Sequence, residues 1–205
     1  MTSASDRDID VVLVDAGGSN IGSVQAALRR LGVDAEMSRD GERIRRASHV
    51  ILPGVGAAKP GMQRLRDCGL DALIPTLHQP VLGVCLGMQL LFESSEESDT
   101  RCLGVVPGRV VRFREADCGR VPHMGWNDLS RISDAPLLNG IISGDYAYFV
   151  HSYAAPIGPA SVASCCYGSA FSAMVSWRNF HGAQFHPERS ADVGAGLLAN
   201  FLEMR

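Results

Sequence analysis

Residues 80–91 read PVLGVCLGMQLL: an apolar run from Pro80 to Val84 meets Cys85, and Leu86, Leu90 and Leu91 follow at helical spacing. A continuous apolar run that passes directly into helical periodicity is the mark of a buried strand feeding a helix. The same unit is written elsewhere in the chain. IDVVLV, Ile9 to Val14, ends in the Gly-rich DAGGSN, and NIGSVQAALRRLG then places Ile21, Val24, Leu28 and Leu31 on one helical face. Val33 to Met37 reads as a second strand, His49 to Leu52 as a third before PGVG, and GMQRLRDCGLDALI over 61–74 as a helix leading into the fourth strand, PVLGV. Strands alternating with helices predict an α/β fold, a mainly parallel sheet with helices on both faces.

Beyond about Thr100 the texture changes to shorter β-like runs. GRVVRF (108–113), YAYFVHSY (146–153), SVASCCY (161–167), FSAMVSW (171–177) and FHGAQF (180–185) lie close together, with Arg178-Asn179 as a hairpin turn. Antiparallel strands added to the parallel sheet are expected, making it mixed. The chain closes on SADVGAGLLANFLEM, whose Val193, Leu197, Leu198 and Phe201 form an apolar helical face. Residues 1–8 are expected to be a flexible N-terminus and residues 9–205 a single domain, with no internal repeat or low-complexity linker.

The 205 residues suit one core, and 46% hydrophobic with 20% charged residues is an ordinary globular composition. A formal charge of −3 offers no electrostatic reason to expect nucleic acid. MTSASDRD lacks an apolar signal core, and no apolar run nears the roughly 18 residues that span a bilayer. A cytoplasmic protein that does not enter the membrane is expected. Cys68, Cys85, Cys102, Cys118, Cys165 and Cys166 form no CxxC pair or Cys/His ligand spacing, so no metal site is implied and free thiols are expected in a reducing compartment.

Which thiol is reactive follows from its surroundings. A buried cysteine is ordinarily a small hydrophobe. Cys85, however, sits at a helix N-terminus, where unpaired N–H groups and the helix dipole favour a thiolate. Gly83 and Gly87 flank it at minus two and plus two, the spacing of the G-x-S-x-G elbow that holds a nucleophile on a sharp strand-to-helix turn. A thiolate nucleophile needs a proton shuttle, and AQFHPERS supplies one in His186. Pro187 forces His186 into extended geometry, where residues i and i+2 share a side, so Glu188 can hold one imidazole nitrogen while the other faces the thiol. The third element is LPGVG, Leu52 to Gly56, after the third strand. Attack on an amide develops an oxyanion that wants two N–H donors. Leu86, after the nucleophile, offers one, and Gly54 leaves the backbone free to present the N–H of Val55.

Together LPGVG, GVCLGMQLL and QFHPERS resemble the class I glutamine amidotransferases. VPHMGWN (121–127), YFVHSY (148–153) and SEE (95–97) are similar to the glutaminase subunits of imidazole glycerol phosphate synthase, and the likeness runs from Ile9 to the C-terminal helix. The resemblance implies a flavodoxin-like fold and hydrolysis of L-glutamine to glutamate and ammonia by Cys85 as nucleophile, His186 as acid and base, and Glu188 as its orienting partner. It implies Gly54, Val55 and Leu86 at the oxyanion, with Gln89, Glu97 and the backbone of His151, Ser152 and Tyr153 holding the amino-acid end of glutamine. Asn20, Trp126 and Asn127 would face a cyclase subunit that accepts the ammonia in histidine biosynthesis. Neither metal nor cofactor is implied. DAGGSN departs from the family's more frequent DYGxGN, with Ala16 and Ser19 replacing a tyrosine and a glycine, so the first loop is expected to differ in shape. Two other readings remain open: a glutaminase serving another acceptor, as in pyridoxal phosphate synthesis, and a noncatalytic interaction subunit that kept the fold.

Overall fold

A computed structural model of the chain describes residues 9–15 and 21–205. The first half alternates as expected: β1 (Val11–Val14), α1 (Ile21–Arg30), β2 (Glu36–Ser38), α2 (Gly41–Arg46), β3 (His49–Gly54), α3 (Ala58–Asp67), α4 (Leu70–Leu73), β4 (Val81–Cys85) and α5 (Leu86–Leu91). Then follow β5 (Phe92–Ser95), β6 (Thr100–Arg101), β7 (Val106–Arg112), α6 (Glu115–Cys118), β8 (His123–Asp128), β9 (Ser130–Arg131), β10 (Tyr146–His151) and β11 (Tyr153–Ala154). The chain ends with β12 (Ser161–Tyr167), β13 (Ser169–Trp177), β14 (Phe180–Ala183) and α7 (Ala191–Leu202).

Among the described residues the main sheet has eight strands in the order β2-β1-β3-β4-β14-β13-β12-β9. The five from β2 to β14 are mutually parallel, and β13, β12 and β9 continue antiparallel. Every residue of β1 is buried, because the sheet is covered twice. Val11 and Leu13 join the cluster that contains Val24 and Leu28 of α1 and Leu197 and Phe201 of α7. Val12 and Val14 point the other way, among Ile44 of α2, Met62 and Leu65 of α3 and Leu90 of α5. The period of two along β1 thus builds both cores.

Several elements differ from the sequence expectation. The 61–74 helix breaks into α3 and α4 at Gly69, whose φ of 67° ends one helix and starts the next. The second strand is shorter and later than 33–37, and α2 was not anticipated: six residues hold too few apolar positions to show a period, and only Ile44 is buried. Its start is marked by Asp40, whose carboxylate accepts the Glu42 N–H at 3.0 Å. The hairpin turn at Arg178-Asn179 is present, with Trp177 paired to Phe180. GRVVRF and YAYFVHSY do not join the main sheet. Among the described residues β7 lies in a four-stranded sheet, β11-β7-β5-β6, and β10 pairs only with β8 in a two-stranded ribbon. Strand propensity is readable locally, whereas the partner of an antiparallel strand is set by tertiary packing.

Candidate active site

The carboxyl ends of β3, β4 and β14 meet at one point of the sheet, the edge where open α/β folds bind their ligands. The β3–β4 register sets Gly54 opposite Cys85. The β14–β4 register sets Ala183 opposite Val84, so the chain leaving β14, Gln184 to Glu188, runs beside Cys85. Cys85 has φ 53° and ψ −112°, a conformation L-residues rarely adopt, and α5 begins at the next residue. Close backbone contacts hold this elbow. A Cβ on Gly87 would overlap the Leu52 carbonyl oxygen and lie 2.8 Å from its carbon, and one on Gly83 would lie 2.6 Å from the Met88 nitrogen.

Across from the sulfur, His186 Nδ1 donates to Glu188 Oε1 at 2.9 Å, with the side chains 10% and 1% exposed. His186 is extended, at φ −94° and ψ 101°, as Pro187 requires. Burial by itself would lower the proton affinity of this imidazole; hydrogen bonding to Cys85 and Glu188, reinforced by their charges, outweighs it and raises the pKa. Cys85 and His186 line a cavity of about 350 Å³, and Glu188 is buried behind the imidazole.

That cavity gathers most of the residues singled out in the sequence. Val55 and Leu86 line it with Cys85 and His186, and so do Gln89, Glu97, His151, Ser152 and Tyr153. Gly54 is absent from the lining but pairs with Cys85 across β3 and β4 and precedes Val55, which lines it. Gln89 Nε2 donates to the Tyr153 carbonyl at 2.8 Å, fixing α5 to the 151–153 segment. Glu97 has a second duty: its Oε2 accepts the N–H of Ala58 at 2.6 Å, satisfying one of the orphan donors of α3, whose Ala57 cap offers no side-chain acceptor. Asn20, Ala16 and Ser19 lie outside the described residues.

The β8–β10 ribbon carries the remaining predicted positions. Its outer face exposes Met124, Trp126 and Tyr146 at 58%, 53% and 57%, and Trp126 meets Tyr148 edge-on at 5.9 Å between ring centres. Asn127 points the other way. Its Nδ2 donates to the Cys166 carbonyl at 2.9 Å and reaches His123 Nε2 at 3.3 Å. His123 Nδ1 in turn lies 3.2 Å from His151 Nε2, and His151 Nδ1 lies 2.9 Å from the Tyr153 carbonyl. Since that carbonyl can only accept, His151 Nδ1 carries hydrogen, His123 Nδ1 donates to His151 Nε2, and His123 Nε2 accepts from Asn127. Both histidines are therefore neutral. Desolvation pushes His151 down to about 3 and His123 to about 4.

His181, under the C-terminal helix, is likewise lowered to about 4 by burial. Unfolded imidazoles titrate near 6.5, so below that pH the unfolded chain binds protons that the folded chain refuses, and stability falls. His186 offers no compensation: its raised value gives stability already complete below the unfolded pKa and lost only as pH rises through the folded one. We expect urea denaturation between pH 6.5 and 5 to show a loss of roughly 1 to 2 kcal/mol for each of His123, His151 and His181. A flat profile over that interval would contradict their neutral burial.

One member of the site escaped sequence reading. Gln184, fully buried, places Nε2 3.9 Å from Cys85 Sγ and accepts from Gln89 Nε2 at 3.0 Å. The signal was present: Gln184 stands two residues before His186, on the same side of an extended chain. Among the described residues no group of three or more His, Cys, Asp or Glu is arranged to hold a metal, and no helix is long and apolar enough to cross a membrane.

Residues 12–204 match the family model for class-I glutamine amidotransferases. The imidazole glycerol phosphate synthase subunit HisH of Xanthomonas euvesicatoria is 55% identical over 95% of this chain and 98% of that protein. The subunit HisH of Xylella fastidiosa is 53% identical over the same shares. The fold is matched by the crystal structure of a glutamine amidotransferase from Thermotoga maritima, with a TM-score of 0.68 at 17% identity, covering 96% of this chain and 98% of that one. An elbow cysteine backed by a His–Glu pair on a doubly covered mixed sheet, and relatives alike over nearly the whole length, agree: the chain belongs to the class-I glutamine amidotransferases, among the HisH subunits of imidazole glycerol phosphate synthase.

Proposed function

We propose that residues 9–205 act as one glutaminase domain, hydrolysing L-glutamine to glutamate and ammonia and passing the ammonia to a cyclase subunit in histidine biosynthesis. The observation that carries the chemistry is the 2.9 Å His186–Glu188 hydrogen bond set beside Cys85 at the cavity. The sulfur attacks the side-chain amide carbon, and the carbonyl electrons move onto oxygen, where the N–H groups of Leu86 and Val55 receive them, with Gly54 giving the loop its freedom. His186 protonates the amide nitrogen as the C–N bond breaks, releasing ammonia and leaving a glutamyl thioester. The same imidazole then takes a proton from water, whose oxygen displaces the sulfur. Glu188 keeps the imidazole oriented and stabilises its cationic form. Gln89, Glu97 and the 151–153 segment hold the amino-acid end of the substrate.

Ammonia set free in water is protonated and ceases to be a nucleophile, a physical reason for a partner to enclose the exit. The outer face of the β8–β10 ribbon fits that partner: Trp126 and Met124 stand exposed on a strand whose neighbour, β10, leads directly into the 151–153 cavity wall. Asn127 contributes indirectly, since its amide is engaged inward. Asn20 belongs to the same proposal. The names of the relatives support the pathway over another acceptor, and free cysteines throughout the described chain accord with the reducing cytoplasm.

The test is to mix the chain with the cyclase subunit from the same genome. A one-to-one complex that forms glutamate from glutamine, faster than the chain alone, is expected. Trp126→Ala should weaken the complex by roughly 2 kcal/mol, about 30-fold, as loss of an interface aromatic does, while leaving the melting temperature of the free chain unchanged. No complex, or no glutamate in its presence, would overturn the reading.

A further inference from the structure

The side chain of Gln184 sits against the sulfur at the end of a chain of hydrogen bonds whose direction is fixed. The Tyr153 carbonyl can only accept, so the group of Gln89 facing it at 2.8 Å is the amide nitrogen. The second hydrogen of that nitrogen goes to Gln184 Oε1 at 3.0 Å. With its oxygen so committed, Gln184 has only its NH2 group to turn toward Cys85 Sγ, at 3.9 Å, within range for a donor to sulfur. Gln184 is 0% exposed and Cys85 7%, so this donor reaches the sulfur from the protein interior, on a side the solvent does not share. The strand register accounts for the placement: β14 runs parallel to β4 with Ala183 opposite Val84, and one residue past the end of β14 Gln184 comes beside Cys85.

We propose that Gln184 is a further catalytic residue, donating a side-chain N–H to the Cys85 sulfur and holding it as an anionic nucleophile aimed into the cavity. The proposal deepens the Cys85 reading and rests on it. A hydrogen bond to an anion is stronger than one to a neutral thiol. The donor thus favours the state from which attack occurs. It also explains a buried amide next to a nucleophile that an apolar side chain would pack against equally well. Gln89 becomes the residue that sets the orientation of Gln184, in addition to lining the cavity.

The measurement is the pH dependence of alkylation by iodoacetamide, in which the sulfur displaces iodide, followed at Cys85 by peptide mass analysis of the full chain. Two variants are compared with wild type. Gln184→Met keeps the volume and removes the donor; Gln184→Glu keeps the oxygen that accepts from Gln89 and replaces the donor with a carboxylate. At pH 7 we expect Cys85 to react roughly tenfold more slowly in Gln184→Met, with the rise in rate moved to higher pH, and more slowly still in Gln184→Glu. A merely structural role would change the melting temperature and leave the pH profile in place. Superimposable profiles in either folded variant would overturn the role of Gln184 while leaving Cys85 as nucleophile. Wild-type chain in which Cys85 resists alkylation at all pH values would overturn both.

Discussion

Cys85→Ala should lower the rate of glutamate formation in the complex by about 10⁴-fold or more, the scale seen when a covalent nucleophile is deleted. Among the described residues no other cysteine lines the cavity. Cys102 and Cys165 are buried, with burial pushing their thiols up to about 11 and about 12, and Cys102 belongs to a different cluster. Stability should respond differently from activity. Position 85 is held at φ 53°, which strains any L side chain and costs glycine little. Cys85→Gly should therefore melt no lower than Cys85→Ala despite its smaller side chain, and both should be inactive. Activity assays and calorimetry on the two variants check this together; a Cys85→Ala chain that retained turnover with its partner would remove the nucleophile.

The second large effect concerns a residue that touches no substrate. Gly87→Ala would drive a methyl group into the Leu52 carbonyl, and backbone on both sides of the contact leaves no flexible end to yield. β3 and α5 must separate. Overpacking of this kind costs about 3 kcal/mol, which for a chain of 205 residues lowers the melting temperature by roughly 10 °C. The displacement acts on Cys85, Leu86 and Gly54 together, so we expect a fall of at least about 100-fold in turnover even in the fraction that stays folded. Gly22, whose Cβ would meet nothing within 4 Å, is the control: Gly22→Ala should leave turnover unchanged and stabilise α1 slightly. Near-normal melting and turnover in Gly87→Ala would show that the elbow is looser than its contacts imply.

The contrast between these glycines shows what sequence could reveal. Gly83 and Gly87 stood out because they bracket a cysteine at a spacing with a mechanical meaning, and the structure places backbone against both. His186 and Glu188 were legible because proline imposes local geometry that needs no knowledge of the fold. Gln184 was not, although it lies in the same AQFHPERS segment. Its role depends on β14 lying beside β4, and that neighbour relation joins residues about 100 positions apart. The same reason governs the strands. β1, β3 and β4 announced themselves by continuous apolar runs because burial on both faces demands it. β7 and β10 were recognised as strands but assigned to the wrong sheet, because half-buried antiparallel strands alternate alike whichever partner they take.

The Tyr153 carbonyl accepts from His151 on one side and from Gln89 on the other. Two lone pairs are thereby used, and every donor from Asn127 to Cys85 has one possible direction. The atom that imposes this polarity is main chain, present whatever side chain residue 153 bears. The wiring of the site is thus indifferent to substitution at the position that organises it and vulnerable at the imidazoles and amides that obey it, where any deletion leaves a buried group facing nothing.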